Sequence, residues 1–290
     1  MSLETAERHG AAPRWVRSNP LLVAGGTIVG IVILIAVLAP LIAPYPQDAG
    51  SATSVAARLQ PPSADHLFGT DQLGRDILSR VIYGARLSPL VAFAVILFSV
   101  AVGLPIGLLA GYFGGVVDDV LMRVTDVFLA LPPLLLALAF ATVLPPSSRS
   151  TVIAITIAWW PWYARLVRGE AASVKGRKYI ESCKALGLPH WRVLLRHVLP
   201  NSTTPLVVQA SLDFGGVILM AAALSFLGLG AQPPTPDWGL MVAQGQRYFL
   251  TNWWLVTFPG LAILVTALGF NLLGDGLRDW LSPRRVGGVR

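Results

Sequence analysis

The sequence is short of charged residues, which make up 13% of its 290 positions. A water-soluble domain is about one-quarter charged, because its surface has to face water. Hydrophobic residues make up 54% of the chain, and they cluster in runs of about 20, the length that crosses a bilayer as a helix. The scarcity of charge therefore excludes an ordinary soluble protein and predicts a polytopic membrane protein.

Cysteine and histidine are also scarce, with one Cys (Cys183) and 4 His. A single cysteine excludes an internal disulfide and a cysteine-rich metal site, and no His pair has metal-ligand spacing. The chain has no Gly-Lys pair, so the phosphate loop G-x-x-x-x-G-K-[ST] is absent. With no paired carboxylates and no nucleophile beside a base, we expect no enzyme active site, no metal and no cofactor in this chain.

Positive residues exceed negative ones by 7, but they do not form a basic patch interleaved with aromatics. Nucleic-acid binding is therefore not expected. Most of the 22 Lys and Arg lie in the segments that share one side of the membrane with the N-terminus. Such a bias marks the cytoplasmic side, so we expect both termini in the cytoplasm.

Six hydrophobic runs predict transmembrane helices and thus an all-α integral membrane protein, since they are too long for strands and lack period-2 alternation. They span 21–43, 87–112, 127–144, 151–167, 205–230 and 255–273. The chain then divides into a cytoplasmic segment (1–20), the first transmembrane helix (21–43), an extracytoplasmic segment (44–86), a five-helix core (87–278) and a cytoplasmic tail (279–290).

The extracytoplasmic segment contains several arginines and changes pattern in its second half. Over 74–84, Ile77, Val81 and their apolar neighbours share one helical face, while Asp76 and Arg80 are four residues apart and could pair. This pattern favours an amphipathic helix on the membrane surface, its arginines neutralised locally or reaching headgroups. The alternative is that 74–84 extends the second span.

A long, basic cytoplasmic loop, 169–200, separates the fourth and fifth spans. Its pattern predicts two short amphipathic helices, the first with an apolar face that includes Ile180 and Leu186. Gly187 suits the left-handed position that ends a helix, Pro189 the first turn of the second helix, and Pro200 its end. The resulting knob must dock on the chain's own spans, on lipid or on a soluble partner.

The loop has a recognisable pattern: Glu181-Ser182-Cys183-Lys184-Ala185-Leu186-Gly187, nine residues, then His197-Val198-Leu199-Pro200. It resembles the EAA loop of ABC-importer permeases; Ser182 and Cys183 replace the two alanines and His197 the isoleucine. Segments 67–80, 110–115 and 224–239 are similar, in order, to further motifs of one branch. That branch is the oligopeptide/dipeptide/nickel permease family, second-subunit (C) type, and the likeness covers nearly the whole chain.

The resemblance implies the type I ABC-importer permease fold, with six transmembrane helices and a cytoplasmic coupling helix, in the bacterial inner membrane. It implies a non-catalytic subunit that passes dipeptides or oligopeptides, with nickel chelates or another small solute as the alternative. The implied partners are a homologous second permease, two subunits that bind ATP and Mg, and an extracytoplasmic solute-binding protein. The residues implied to contact the ATPase are Glu181, Ala185, Leu186, Gly187 and Leu188. An ATP-independent secondary transporter is disfavoured, because the spans lack ionisable relays.

The spans contain few polar residues that could contact the solute or form a gate. Asp213 lies well inside the fifth span, where a charge is costly and marks function by default. It could meet a peptide amino terminus or a cationic side chain, or pair with the partner permease. Trp159, Trp160 and Asn271 are further candidates for the solute path, although packing explains each as well. At the outer end, the candidates for a gate are Ser225, Gly228 and Trp238, with an interfacial anchor as the alternative for Trp238.

Overall fold

The computed structural model describes residues 19–281, so most of the predicted cytoplasmic segments 1–20 and 279–290 lies outside the described residues. The described part is helical and contains no strand beyond one isolated bridge between Thr70 and Asp76. The helices are α1 (Pro20–Ile42), α2 (Ile77–Phe113), α3 (Gly115–Leu129), α4 (Pro133–Val143), α5 (Ser148–Lys175), α6 (Lys178–Ala185), α7 (His190–Val193), α8 (Leu199–Phe226), α9 (Trp238–Gly245) and α10 (Trp254–Leu281). A π-helical turn, Leu194–Val198, joins α7 to α8 without a break.

Within residues 19–281, four helices are long and apolar enough to cross a bilayer: α1, α2, the continuous helix His190–Phe226, and α10. Helices α3 and α4 meet at 83° and add a fifth span if they are counted as one. The bend follows Leu129 and coincides with Pro132 and Pro133, which lack the N–H that would continue the helix. Helix α5 contains the predicted span 151–167 and has 28 residues, but it is less apolar than the others. The all-α membrane fold is confirmed, whereas length and composition support four to five spans rather than six.

The centre of the bundle is the contact between α2 and α5. Gly103, Gly107 and Gly111 lie four residues apart on α2, and a Cβ at each would collide with a backbone carbonyl of α5. Only glycine lets the two helices approach so closely. Helices α2 and α5 therefore form a tightly packed pair on which the other spans assemble.

The predicted surface helix at 74–84 is wrong, because Ile77 begins a single helix that runs without interruption to Phe113. Asp76 caps this helix by accepting a hydrogen bond from the Ser79 N–H at 2.7 Å. Residues 77–84 thus extend the second span. Asp76 is engaged as a cap and also contacts His66 Nδ1 at 3.0 Å, so it does not form the predicted side-chain pair with Arg80.

Two of the four arginines in segment 44–86, Arg75 and Arg80, are buried inside the folded part of that segment, here called the outer cap, whereas Arg58 and Arg86 are exposed. Arg75 and Arg80 are each 1% exposed. Arg75 Nε donates to Asp71 at 2.7 Å, and Arg80 Nε lies 3.8 Å from the same carboxylate. The Arg80 guanidinium also donates to the carbonyls of Asp48 and Pro234, at 3.0 and 3.3 Å. Local neutralisation, one of the two predicted outcomes, is what makes their burial possible.

Candidate functional site

Loop 169–200 turns sharply at Gly187, as predicted. Its φ of +78° is in the left-handed region, and a Cβ added there would meet nothing within 4 Å. The Gly187 N–H donates to the Lys184 carbonyl at 2.9 Å, and the Leu188 N–H donates to the Cys183 carbonyl at 3.2 Å. These two bonds form a Schellman motif that ends α6. Glycine is thus required here for backbone conformation and not for space.

The apolar face predicted for the loop is divided in the structure. Ile180, Val193 and Val198 are fully buried beneath the loop, so the two helical pieces pack on the bundle. Leu186 and Trp191 point outward and are 80% and 60% exposed. Of the other candidate coupling residues, Glu181 and Ala185 are exposed and Leu188 is half-buried. The loop is therefore anchored to its own spans and still presents apolar side chains to the exterior.

The loop is tied to the end of α2 at Phe113. The Tyr112 hydroxyl and His190 Nδ1 form a hydrogen bond of 2.9 Å, and Lys184 Nζ lies 5.4 Å from the centre of the Tyr112 ring. Lys175 Nζ donates to the Phe113 carbonyl at 3.2 Å. A displacement of the loop would therefore act directly on α2, and through the glycine contacts on α5.

The prediction that Pro200 ends the second loop helix is wrong. The helix continues through Pro200 because the π turn shifts the bonding by one residue, with the Leu199 N–H donating to the Leu194 carbonyl. The carbonyls of His197 and Val198 each accept a bond from a nearby side chain, Asn201 Nδ2 at 2.7 Å and Ser202 Oγ at 3.0 Å. The proline is thus tolerated, and the loop is continuous with the span that contains Asp213.

Two of the four candidate path residues, Trp159 and Asp213, lie together at an open cavity of about 540 Å³. Trp159 Nε1 donates to one carboxylate oxygen of Asp213 at 3.2 Å, and Gln209 Nε2 donates to the other at 2.8 Å. The cavity is bordered by α5, α8 and the first residue of α4, and its lining comprises Pro133, Trp159, Trp162, Arg165, Leu166, Gln209 and Asp213. The structure thus surrounds one carboxylate with indole and amide donors beside open space.

The other two candidates, Trp160 and Asn271, lie elsewhere. Trp160 is buried and packs edge-on against Phe128 with ring centres 5.3 Å apart. Asn271 packs against Gly215, where an added Cβ would lie 2.6 Å from the Asn271 Oδ1 atom. Trp160 is thus placed as a packing residue, whereas Asn271 is exposed, and a role for Asn271 in the solute path stays a prediction.

Three lining residues that carry N–H donors, Trp162, Arg165 and Gln209, were missed by the sequence analysis. A helical pattern could have found two of them. Trp162 lies three residues after Trp159 on the same helical face, and Gln209 lies one turn before Asp213. Arg165 gave no such signal, because an arginine near a span end is ordinarily taken to face headgroups.

Trp238 is 2% exposed, which does not suit an anchor at the membrane interface. Its indole donates to the Val81 carbonyl at 3.0 Å, and its backbone N–H donates to Ser88 Oγ at 3.1 Å. Ser225 is also buried, at 4% exposure, whereas Gly228 is exposed with a φ of +81° and ends α8. Trp238 therefore packs the segment after α8 onto α2, and an outer-gate role for Ser225, Gly228 and Trp238 stays a prediction.

Residues 103–287 match the family described as binding-protein-dependent transport system inner membrane component. The chain belongs to this family. Residues 14–62 match a second family, the N-terminal transmembrane domain of oligopeptide transport permease C. The resemblance found in the EAA-type loop is thereby confirmed, and the chain is a multi-pass permease of the ABC-importer class.

Three permeases are similar to this chain over most of the length of both sequences. The probable D,D-dipeptide transport system permease protein of Escherichia coli (strain K12) is 44% identical over 96% of this chain and 93% of its own. The dipeptide transport system permease of Alkalihalophilus pseudofirmus is 44% identical over 93% and 88%, and the glutathione transport system permease of Pectobacterium atrosepticum is 42% identical over 93% and 89%. The inward-facing methionine ABC transporter has a TM-score of 0.57 at 16% identity, over 71% of this chain and 98% of the other. This last likeness confirms the permease fold.

Proposed function

We propose that this permease passes peptides of the dipeptide and oligopeptide class across the bacterial inner membrane as a non-catalytic subunit of an ATP-driven importer. The observation that carries the proposal is the 44% identity to a D,D-dipeptide permease over 96% of the chain. Two further relatives are named for transport of dipeptides and of glutathione. The solutes in these three names are all small peptides, which supports a peptide as the solute of this chain.

The importer would be completed by separate polypeptides: two ATP-binding subunits, a second homologous permease and an extracytoplasmic solute-binding protein. ATP and Mg would be bound by the ATP-binding subunits, and no cofactor by this chain. The excess of Lys and Arg in the segments next to the termini and in loop 169–200 supports a cytoplasmic location for all three.

The cytoplasmic loop would receive the motion of the ATPase. Exposed Leu186 and Trp191 provide apolar contact area at its tip, and Glu181, Ala185, Gly187 and Leu188 flank that tip. Force applied there has two routes into the membrane. One passes through the Tyr112–His190 bond to α2, and the other follows the continuous helix from His190 to Asp213. The first route is a single hydrogen bond and the second is an unbroken helix, and both suit a rigid coupling element.

Trp159 and Asp213 would line the path of the solute, because they border the same open cavity and lie on the two helices that the loop connects. A movement of the loop would then be transmitted along these two helices to the cavity. Movement of α8 relative to α5 would change the distance between Asp213 and Trp159 and so open or close the cavity.

Reconstitution tests the proposal. The chain is purified with its partner subunits in liposomes, and uptake of radiolabelled dialanine is measured with and without ATP. We expect uptake only when ATP, the ATP-binding subunits and the loaded binding protein are all present. Uptake by this chain alone without nucleotide would contradict the proposal, and ATP-driven uptake of a nickel chelate but of no peptide would contradict the solute class.

A further inference from the structure

The carboxylate of Asp213 has binding capacity that its neighbours leave unused. A carboxylate offers about four acceptor positions; Trp159 and Gln209 occupy one on each oxygen, and the buried Tyr163 hydroxyl lies near the same carboxylate. Among residues 19–281, no Lys, Arg or His nitrogen forms an ion pair with it. A charge in a span without a counter-ion is costly, so a cation from outside the described chain is the natural partner.

Both contacts orient the carboxylate without neutralising it. Gln209 approaches from one turn earlier on α8, while Trp159 approaches from α5, where its ring lies against Gly216. An indole beside a carboxylate favours an ammonium group, because the ammonium can donate hydrogen bonds to the oxygens and also contact the aromatic face. This side of the cavity therefore fits an organic cation with N–H donors.

The same cavity has a positive group at another point of its wall. Arg165 follows Trp159 by six residues on α5, an axial offset of about 9 Å at ~1.5 Å per residue. Its guanidinium is 53% exposed and pairs with exposed Asp126, a contact of the kind that exchanges readily. An extended peptide covers about 3.3–3.6 Å per residue, so two or three residues would match this offset.

We propose that the cavity is a transient binding site for zwitterionic dipeptides and tripeptides, an inference that rests on the proposed peptide-import function. The terminal ammonium would bind Asp213 against Trp159, and the terminal carboxylate would bind Arg165 in place of Asp126. The cavity volume of about 540 Å³ is within the range of small-ligand pockets. The permease itself would thus recognise the two free ends of a short peptide.

Ligand-observed saturation-transfer NMR suits a weak transient site. The assembled importer is placed in lipid nanodiscs without its solute-binding protein, and three probes are compared: dialanine, N-acetyl-dialanine and dialanine amide. We expect dialanine to bind about fivefold more tightly than either blocked probe, the effect of losing one partly solvated ion pair. Equal binding of the three probes by the unmodified importer would overturn the proposal without any variant.

Variants of Asp213 and Arg165 test which residue binds which terminus of the peptide. Asp213→Asn should remove the preference over N-acetyl-dialanine, and Arg165→Gln should remove the preference over the amide. Asp213→Glu, which keeps the charge, should retain the first preference. Arg168→Gln is the matched control, because Arg168 is on the same helix and pairs with Asp118 but does not line the cavity. It should keep both preferences.

Two outcomes separate this inference from others. If Asp213→Asn prevents copurification of the second permease, Asp213 serves the contact between permeases and the inference is wrong. ATP-driven dialanine uptake is measured on the same purified importers after reconstitution in liposomes with the loaded binding protein. An importer that takes up dialanine but binds all three probes equally would retain the proposed function and lose the site, whereas one that takes up no peptide would lose the proposed function.

Discussion

Gly187 allows the coupling role of the loop to be tested with little disturbance of packing. Its φ is +78°, and a Cβ there would meet nothing within 4 Å, so a substitution strains the backbone without creating a clash. Placing a residue with a Cβ in the left-handed region costs about 1–2 kcal/mol, while Asn tolerates it better and a β-branched residue worse. The series Gly, Asn, Ala, Val at position 187 therefore increases the strain in steps.

A cost of about 1–2 kcal/mol reduces the population of the native loop relative to its alternatives by about 5- to 30-fold. The affected bonds are those from the Gly187 and Leu188 N–H groups to the carbonyls of Lys184 and Cys183. The buried anchors Ile180, Val193 and Val198 stay in place, so the protein should remain in the membrane. We expect the tip of the loop to lose its shape while the spans keep theirs.

The measurement is uptake of dialanine per ATP hydrolysed by the reconstituted importer. This ratio should fall in the order Gly, Asn, Ala, Val, with similar amounts of permease in the membrane. Gly169→Ala is the control, because Gly169 lies in α5 with open space around it and without a positive φ. Unchanged uptake by Gly187→Val would refute the coupling role, as would an equal loss in the control.

Further predictions concern the outer cap and the topology. Gly84→Ala should lower the thermal stability of the purified permease, because the new Cβ would overlap the Trp238 indole; an unchanged melting temperature would contradict this packing. Trp238→Phe keeps the aromatic packing but loses the bond to the Val81 carbonyl, at a cost of about 1 kcal/mol. Thermal unfolding of that variant should show a small decrease, and no decrease would mean that the bond contributes nothing. Trypsin should cut loop 169–200 only from the cytoplasmic side, and cleavage from outside would overturn the proposed orientation.

Local features were predictable wherever they depend on neighbouring residues alone. The turn at Gly187 follows from a glycine between two amphipathic segments, and the helical spans follow from uninterrupted apolar runs. The errors have equally local causes. Pro200 is an ordinary helix stop in water, but here a π turn and the side chains of Asn201 and Ser202 support the helix around it.

The sequence by itself determined that this chain is a helical membrane protein with a turn at Gly187 between two amphipathic segments, because hydropathy and helix-ending residues act over one or two turns. Only the tertiary structure decided what these pieces contact. The Trp238 indole meets the Val81 carbonyl 157 residues away, and Trp159 meets Asp213 across 54 residues. Such pairs leave no periodic trace in the chain, since each partner satisfies its polar group only after the helices have packed.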